Sequence, residues 1–219
     1  MAAQHSTALH LAILAGFTGV SQAIKDALKA TKDHTDSVFY LPTAVLAVKQ
    51  NVKFDASKAT EALGNLYTSV GELGAKTAAD SLGVDAVASK SVEQLLADRG
   101  FVLQGISDSA LTRMSDAIGQ GLTNGQGYRA IGDSVNAIID NTQRADVISI
   151  TESNRAFNQA FIDQIGAAGG TEYDWVTDGD PCAECIPEEG THELDYPPPP
   201  LHPNCQCAAL FPDGTEISD

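Results

Sequence analysis

The chain has 219 residues, 29 acidic against 13 basic side chains, and a formal net charge of -16. Its length suits one large domain or two small ones, and a hydrophobic content of 43% excludes global disorder. The charge is uneven: 13 acidic residues and no Lys or Arg follow Arg155, so this segment is a poor candidate for wrapping DNA, where Lys and Arg supply most of the affinity.

The N-terminus lacks the basic stretch that precedes a signal-peptide core. The apolar run from Ala8 to Phe17 is shorter than the roughly 20 residues that span a bilayer. The expectation is a protein made in the cytoplasm, with no membrane partner. There, cysteines clustered between 182 and 207 point to metal more than to disulfides.

In chain order, apolar residues from Leu9 to Leu28 recur at helical intervals. Aromatics are scarce and Ala and Gly plentiful, so helices packed through small side chains are expected. Leu41-Pro42 marks a boundary. Ala59, Leu63, Leu66, Val70 and Leu73 predict a helix over 56–82, which Gly64, Gly71 and Gly74 interrupt without clearly ending. Ser91-Val-Glu-Gln94 resembles a capping box, opening a short helix to about Asp98 that Gly100 is expected to end. Further helices are predicted over 107–121, 128–139 and 143–166, the last stopped by Ala167-Ala-Gly-Gly170. Glu172 to Thr177 then reads as a strand with Tyr173 and Trp175 on one side, and Cys207 to Phe211 as a returning strand. The fold class expected is a mainly α N-terminal body with a small α+β, Cys/His-clustered C-terminal domain.

The chemistry-bearing signal is Cys182-Ala-Glu-Cys185 followed by His202-Pro-Asn-Cys205-Gln-Cys207. A C-x2-C turn presents two thiolates to one tetrahedral ion, and a second Cys/His group supplies the remainder. The candidate metal ligands are Cys182, Cys185, His202, Cys205 and Cys207, five for four places, with zinc the ion that suits them. Packed reduced thiols and disulfides are the alternatives. His5, His10, His34 and His192 stand apart from any second ligand in sequence. Neither a phosphate-loop pattern nor a serine nucleophile elbow is present.

Three blocks occur in order: Arg144-Ala145, Ile148-Ser-Ile-Thr151-Glu152, Ala156 and Asn158; then Trp175, Asp180, Cys182 and Cys185; then Pro199-Pro200-Leu201-His202-Pro203-Asn204-Cys205-Gln206-Cys207. Together they resemble the phage Mu F-like minor head proteins, carriers of a phage head morphogenesis domain. Ile118, Gly121, Gly127 and Ile131 resemble the preceding helical pair. Gln206 stands where the family usually has Arg, so any ion pair or phosphate contact of that Arg is lost. The resemblance covers 97–211 and implies that this span is the head morphogenesis domain; residues 1–96 match no block and are read from their apolar spacing as a helical N-terminal region, and 212–219 as a tail. It further implies a structural protein of the virion head, partnered by the portal or other head proteins, and not an enzyme. Arg144, Thr151, Glu152 and Trp175 are expected to be structural, with an Arg144–Glu152 pair tying helix to lobe and Trp175 anchoring the lobe core. The rival readings are a phage-delivered hydrolase or nucleic-acid-modifying effector using Glu152 as general base and His202 as its partner, and a metal-stapled interaction module with no virion role.

Overall fold

A computed structural model describes residues 11–13, 15–31, 40–140, 142–177 and 181–212, with backbone alone at 31, 40, 41, 43, 101 and 142–145. His5, His10, His34, Asp180 and the Arg144 side chain therefore lie outside the described residues. The helices are α1 (Val20–Thr31), α2 (Tyr40–Asn51), α3 (Ser57–Leu82), α4 (Lys90–Thr123), α5 (Tyr128–Ile139) and α6 (Thr142–Ala167). The strands are β1 (Phe17–Thr18), β2 (Lys53–Phe54), β3 (Glu172–Val176), β4 (Gly190–Glu193) and β5 (Ala208–Leu210). The chain is mainly α with a small α+β C-terminal lobe. Among the described residues no helix is long and apolar enough to cross a membrane.

The chain forms two compact units. The first, here the helical unit, comprises Ala8–Glu61 together with Gly100–Thr142. Its core joins Ala23, Ile24 and Ala27 of α1, Ala44, Ala47 and Val48 of α2, Ala110, Met114, Ile118 and Leu122 of α4, and Ile131 and Val135 of α5. Alanine at the α1 and α2 positions lets those helices pack through small side chains, as composition foretells. β1 and β2 make a short antiparallel pair, Phe17 opposite Phe54, with ring centroids 4.7 Å apart.

The second, here the lobe unit, comprises Ala62–Arg99 and the residues from Gln143 on. Ala78 of α3, Phe161, Ile162 and Ile165 of α6, Tyr173 and Trp175 of β3, Ala209 of β5, and Cys185, Cys205 and Cys207 form one core. The sheet is antiparallel in the order β4-β3-β5. Its register sets Trp175 opposite Ala209 on one side and Gly190 on the other, and sets Glu172 opposite Glu193. Trp175 is buried in this core. Alternation along β3 buries Tyr173 and Trp175 and leaves Glu172 outward.

Gly74 is where α3 meets α6: a Cβ there would lie 2.4 Å from the Phe157 carbonyl oxygen. Gly71, where a Cβ would lie 2.7 Å from Val92 Cγ2, and Gly74 therefore serve close packing rather than termination. At the far end of α6, Gly169 adopts φ +88. The Gly169 amide bonds Gly166 O and the Gly170 amide bonds Ile165 O, a Schellman stop where the sequence places it.

Two expectations are corrected. Gly100 does not end a helix: α4 runs unbroken from Lys90 to Thr123, because the roughly 1 kcal/mol cost of a helical Gly is outweighed by the buried stripe Leu103, Ile106, Ala110 and Met114 that follows. The cap of α4 is Ser89, not Ser91. The Ser89 hydroxyl accepts the Val92 amide at 3.0 Å, while Ser91 gives its hydroxyl and its amide to Asp163 at 2.8 Å each. Gln94 donates to Asp98 instead of reaching back to the helix start.

Candidate metal centre

The lobe is assembled on one face of α6. Thr151, Asn154 and Asn158 recur at i, i+3 and i+7 and so project to one side. The Thr151 hydroxyl accepts the Asn204 amide at 2.9 Å and donates to Val147 O. Asn154 Nδ2 donates to Cys205 O at 3.0 Å and Cys207 O at 2.8 Å. Asn158 donates to Asn154 Oδ1 at 3.0 Å and Pro199 O at 3.2 Å, and accepts the Ala209 amide at 2.9 Å. Asn158 is wholly buried, where polar groups must be paired to be tolerated. This polar stripe fixes the backbone of 199–209 and with it the sulfur positions.

The stripe holds two tight turns together. The Cys185 amide donates to Cys182 O at 3.1 Å, and the Cys205 amide to His202 O at 3.2 Å. His202 Nε2 lies 3.0 Å from Cys182 Sγ and 3.2 Å from Cys185 Sγ, and Cys185 Sγ lies 3.8 Å from Cys205 Sγ. Two triads result, Cys182, Cys185 and His202, and Cys185, Cys205 and Cys207, each with ligand atoms within 4.8 Å of one another. Cys185 is common to both. Thiolates on a tetrahedral zinc, at Zn–S of about 2.3 Å, stand about 3.8 Å apart, which matches the Cys185–Cys205 separation. All four cysteines are unbridged.

The electrostatics differ around the cluster. Burial disfavours the Cys182 thiolate, but hydrogen bonding from Cys185 and the backbone at Cys185 and Glu184 outweighs it and lowers the thiol. At Cys205 burial is likewise outweighed, by backbone hydrogen bonds at Cys207 and Leu201. Burial raises Cys185 and Cys207. His202 is raised, first by its hydrogen bond to Pro203 O at 2.9 Å. The indole N–H of Trp175 is buried without a hydrogen-bond partner among the described residues.

Glu152 and His202 have separate partners. The buried Glu152 carboxylate accepts the Tyr67 hydroxyl at 2.5 Å, and Arg155 Nη1 lies 3.8 Å away. His202 is engaged with Cys182, Cys185 and Pro203, and no hydrogen bond joins it to Glu152 among the described residues. Of the polar residues that organise the unit, the motif reading includes Thr151, Glu152 and Asn158 and misses Asn154, Tyr67, Asp163 and Gln164. The spacing of Thr151, Asn154 and Asn158 was the available signal for Asn154. Asp163 takes three hydrogen bonds from Ser89 and Ser91, and Gln164 pairs with the backbone of Asp85 and Val87. Neither belongs to a motif block. His192 packs between rings, 4.3 Å from Tyr196 and 5.7 Å from Tyr173.

The architecture defines a class: helices carrying a small α+β lobe whose cysteines and histidine converge at one point. Residues 112–210 match the family described as Phage Mu protein F like protein, the family that the motif blocks resemble. It is a family of phage head morphogenesis. No curated protein and no solved structure matches the chain.

Proposed function

We propose that the chain is a minor head protein of a tailed bacteriophage, carried in few copies and associated with the portal or the head interior, where it assists assembly or DNA delivery. The observation that carries this reading is the family match over 112–210, a span that takes in the Asn-bearing helix face and the Cys/His lobe together. We assign 97–211 to the head morphogenesis domain, 1–96 to a helical N-terminal region and 212–219 to a tail. With no Lys or Arg after Arg155, the lobe suits a basic protein surface better than DNA, and the portal is the partner we favour.

A zinc ion is the group that the lobe's residues fit. Thiolate and imidazole are the donors zinc prefers, and a lobe with few aliphatic side chains gains stability from a metal staple. When bound, the ion would supply cross-links between chain segments, not chemistry on a substrate. Quantifying the chain's peptides in purified particles tests the virion role. Recovery at a fixed number of copies per particle supports it, and absence from particles that package DNA overturns it. Capture of the portal protein from assembled heads tests the docking partner, and repeated failure to recover it removes the portal.

A further inference from the structure

We propose that the metal site is closed by Cys182, Cys185, His202 and Cys205, and that Cys207 stays outside it as a packed thiol. This rests on the metal reading above and deepens it by choosing four ligands from five candidates.

The two turns are alike. Each brings its first and last residues together across two intervening positions, and each is closed by an amide from the last residue to the carbonyl of the first, 182 to 185 and 202 to 205. A turn of this kind delivers two ligand atoms to one side of the backbone, so two turns meeting face to face deliver four. Cys207 belongs to neither turn. Its carbonyl is held by Asn154.

His202 settles the competition for the fourth place. Its Nε2 sits 3.0 and 3.2 Å from the Cys182 and Cys185 sulfurs, so an ion held by both sulfurs lies within reach of that nitrogen. A set of four thiolates would require the imidazole to leave. Nδ1 faces Pro203 O at 2.9 Å, and an Nδ1–H donated to that carbonyl leaves the Nε2 lone pair free for the metal. Binding as neutral imidazole with three thiolates leaves the site one negative charge around a divalent cation. Cys205 reaches the group through Cys185, 3.8 Å away. It falls outside the 4.8 Å triad of Cys182, Cys185 and His202, so binding must draw the 202–205 turn inward by a small shift. Cys207 remains in the core that includes Trp175.

The test uses the full chain. Metal content is measured on protein purified without added zinc, and X-ray absorption at the zinc edge counts ligands on the unmutated chain. Three sulfurs and one nitrogen are expected, and four sulfurs overturn the assignment. Cobalt replacement is then compared in Cys207→Ser and Cys205→Ser. Cys207→Ser should keep one ion per chain and the full thiolate-to-cobalt charge-transfer intensity. Cys205→Ser should lose roughly a third of that intensity, and affinity by at least the ~10-fold seen for loss of outer-shell partners. Loss of metal or of charge-transfer intensity in Cys207→Ser overturns the choice of Cys205 while leaving the metal reading intact. No metal in the unmutated chain, even with zinc supplied during folding, overturns both.

Discussion

Tyr67 on α3 and Glu152 on α6 share a hydrogen bond of 2.5 Å between buried groups. The bond makes Glu152 a structural acceptor and joins α3 to α6 within the lobe unit by a polar contact inside an apolar setting. Such a contact is costly to half-remove, because the remaining group keeps its desolvation penalty. Tyr67→Phe should therefore lower stability by about 1–3 kcal/mol, and Glu152→Gln, which keeps an acceptor for the phenol, by less. Denaturant unfolding of the two variants checks the order. If Glu152→Gln proves the more damaging, charge rather than hydrogen bonding dominates the site.

Asn158 carries the junction between α6 and the last strand. Its side chain bonds Ala209 N, Pro199 O and Asn154, and no aliphatic residue can replace both its donor and its acceptor. Asn158→Leu should lose amide protection across 199–211 in hydrogen exchange while α1 and α2 keep theirs. Asn158→Asp, which retains the acceptor for Ala209, should be intermediate. Unchanged protection in the Leu variant would mean that lobe packing alone fixes those residues.

Glycines divide by what a Cβ would meet. At Gly74 it would press on the Phe157 carbonyl at 2.4 Å, so Gly74→Ala forces α3 and α6 apart at about 1–3 kcal/mol. At Gly100 and Gly105, both inside α4, nothing lies within 4 Å, and Ala should stabilise by up to about 1 kcal/mol. Thermal unfolding of the three variants gives opposite signs if the helix pairing is as described.

Alkaline titration should expose the buried phenols. Tyr67 is raised above its ordinary value, first by burial and then by the Glu152 charge, and Tyr173 is pushed up to about 12, chiefly by burial. The folded state therefore holds these protons more tightly than the unfolded chain does. Their contribution to stability is complete below the ordinary tyrosine value of about 10. It declines above that pH, and for Tyr173 it is gone beyond about 12. Stability measured against pH should fall in that window, and Tyr67→Phe should flatten part of the fall. A fall of equal steepness in the variant would assign the effect elsewhere.

Chelation gives the last prediction. Removing the ion should release the 182–185 and 202–207 turns and expose Trp175, seen as a red shift in its fluorescence, with the helices of the helical unit retained in circular dichroism. A lobe that keeps its buried Trp175 after complete metal removal would be held by packing alone.

Much of this was legible because it is local. The helices over 57–82, 128–139 and 142–167 follow from apolar spacing, and the change of character after Gly170 follows from the loss of that spacing and the rise of prolines. The converging Cys and His were legible from their turn spacing. The pairing of Glu152 with Arg144 lies outside the described side chains, while the hydrogen bond to Glu152 from Tyr67, 85 positions away in the chain, is a contact no local pattern encodes. β4 is hidden in the sequence because Gly190 and Glu193 are poor strand formers, Thr191 is the one β-favouring residue of the four, and pairing with β3 holds the segment. Ser91 completes the better capping motif in sequence, but Asp163, remote in the chain, claims it and leaves Ser89 to cap α4.

The register of the lobe's sheet has a consequence in salt. Glu172 and Glu193 stand directly opposite on β3 and β4, and like charges so placed repel. Their mutual repulsion works against the open end of the β3–β4 pair, away from the connecting segment, and fades as counterions screen it, over about 8 Å at physiological ionic strength. That end of the sheet should therefore fray in dilute buffer and tighten in salt, and a cationic side chain brought to the outer face would do locally what salt does in bulk.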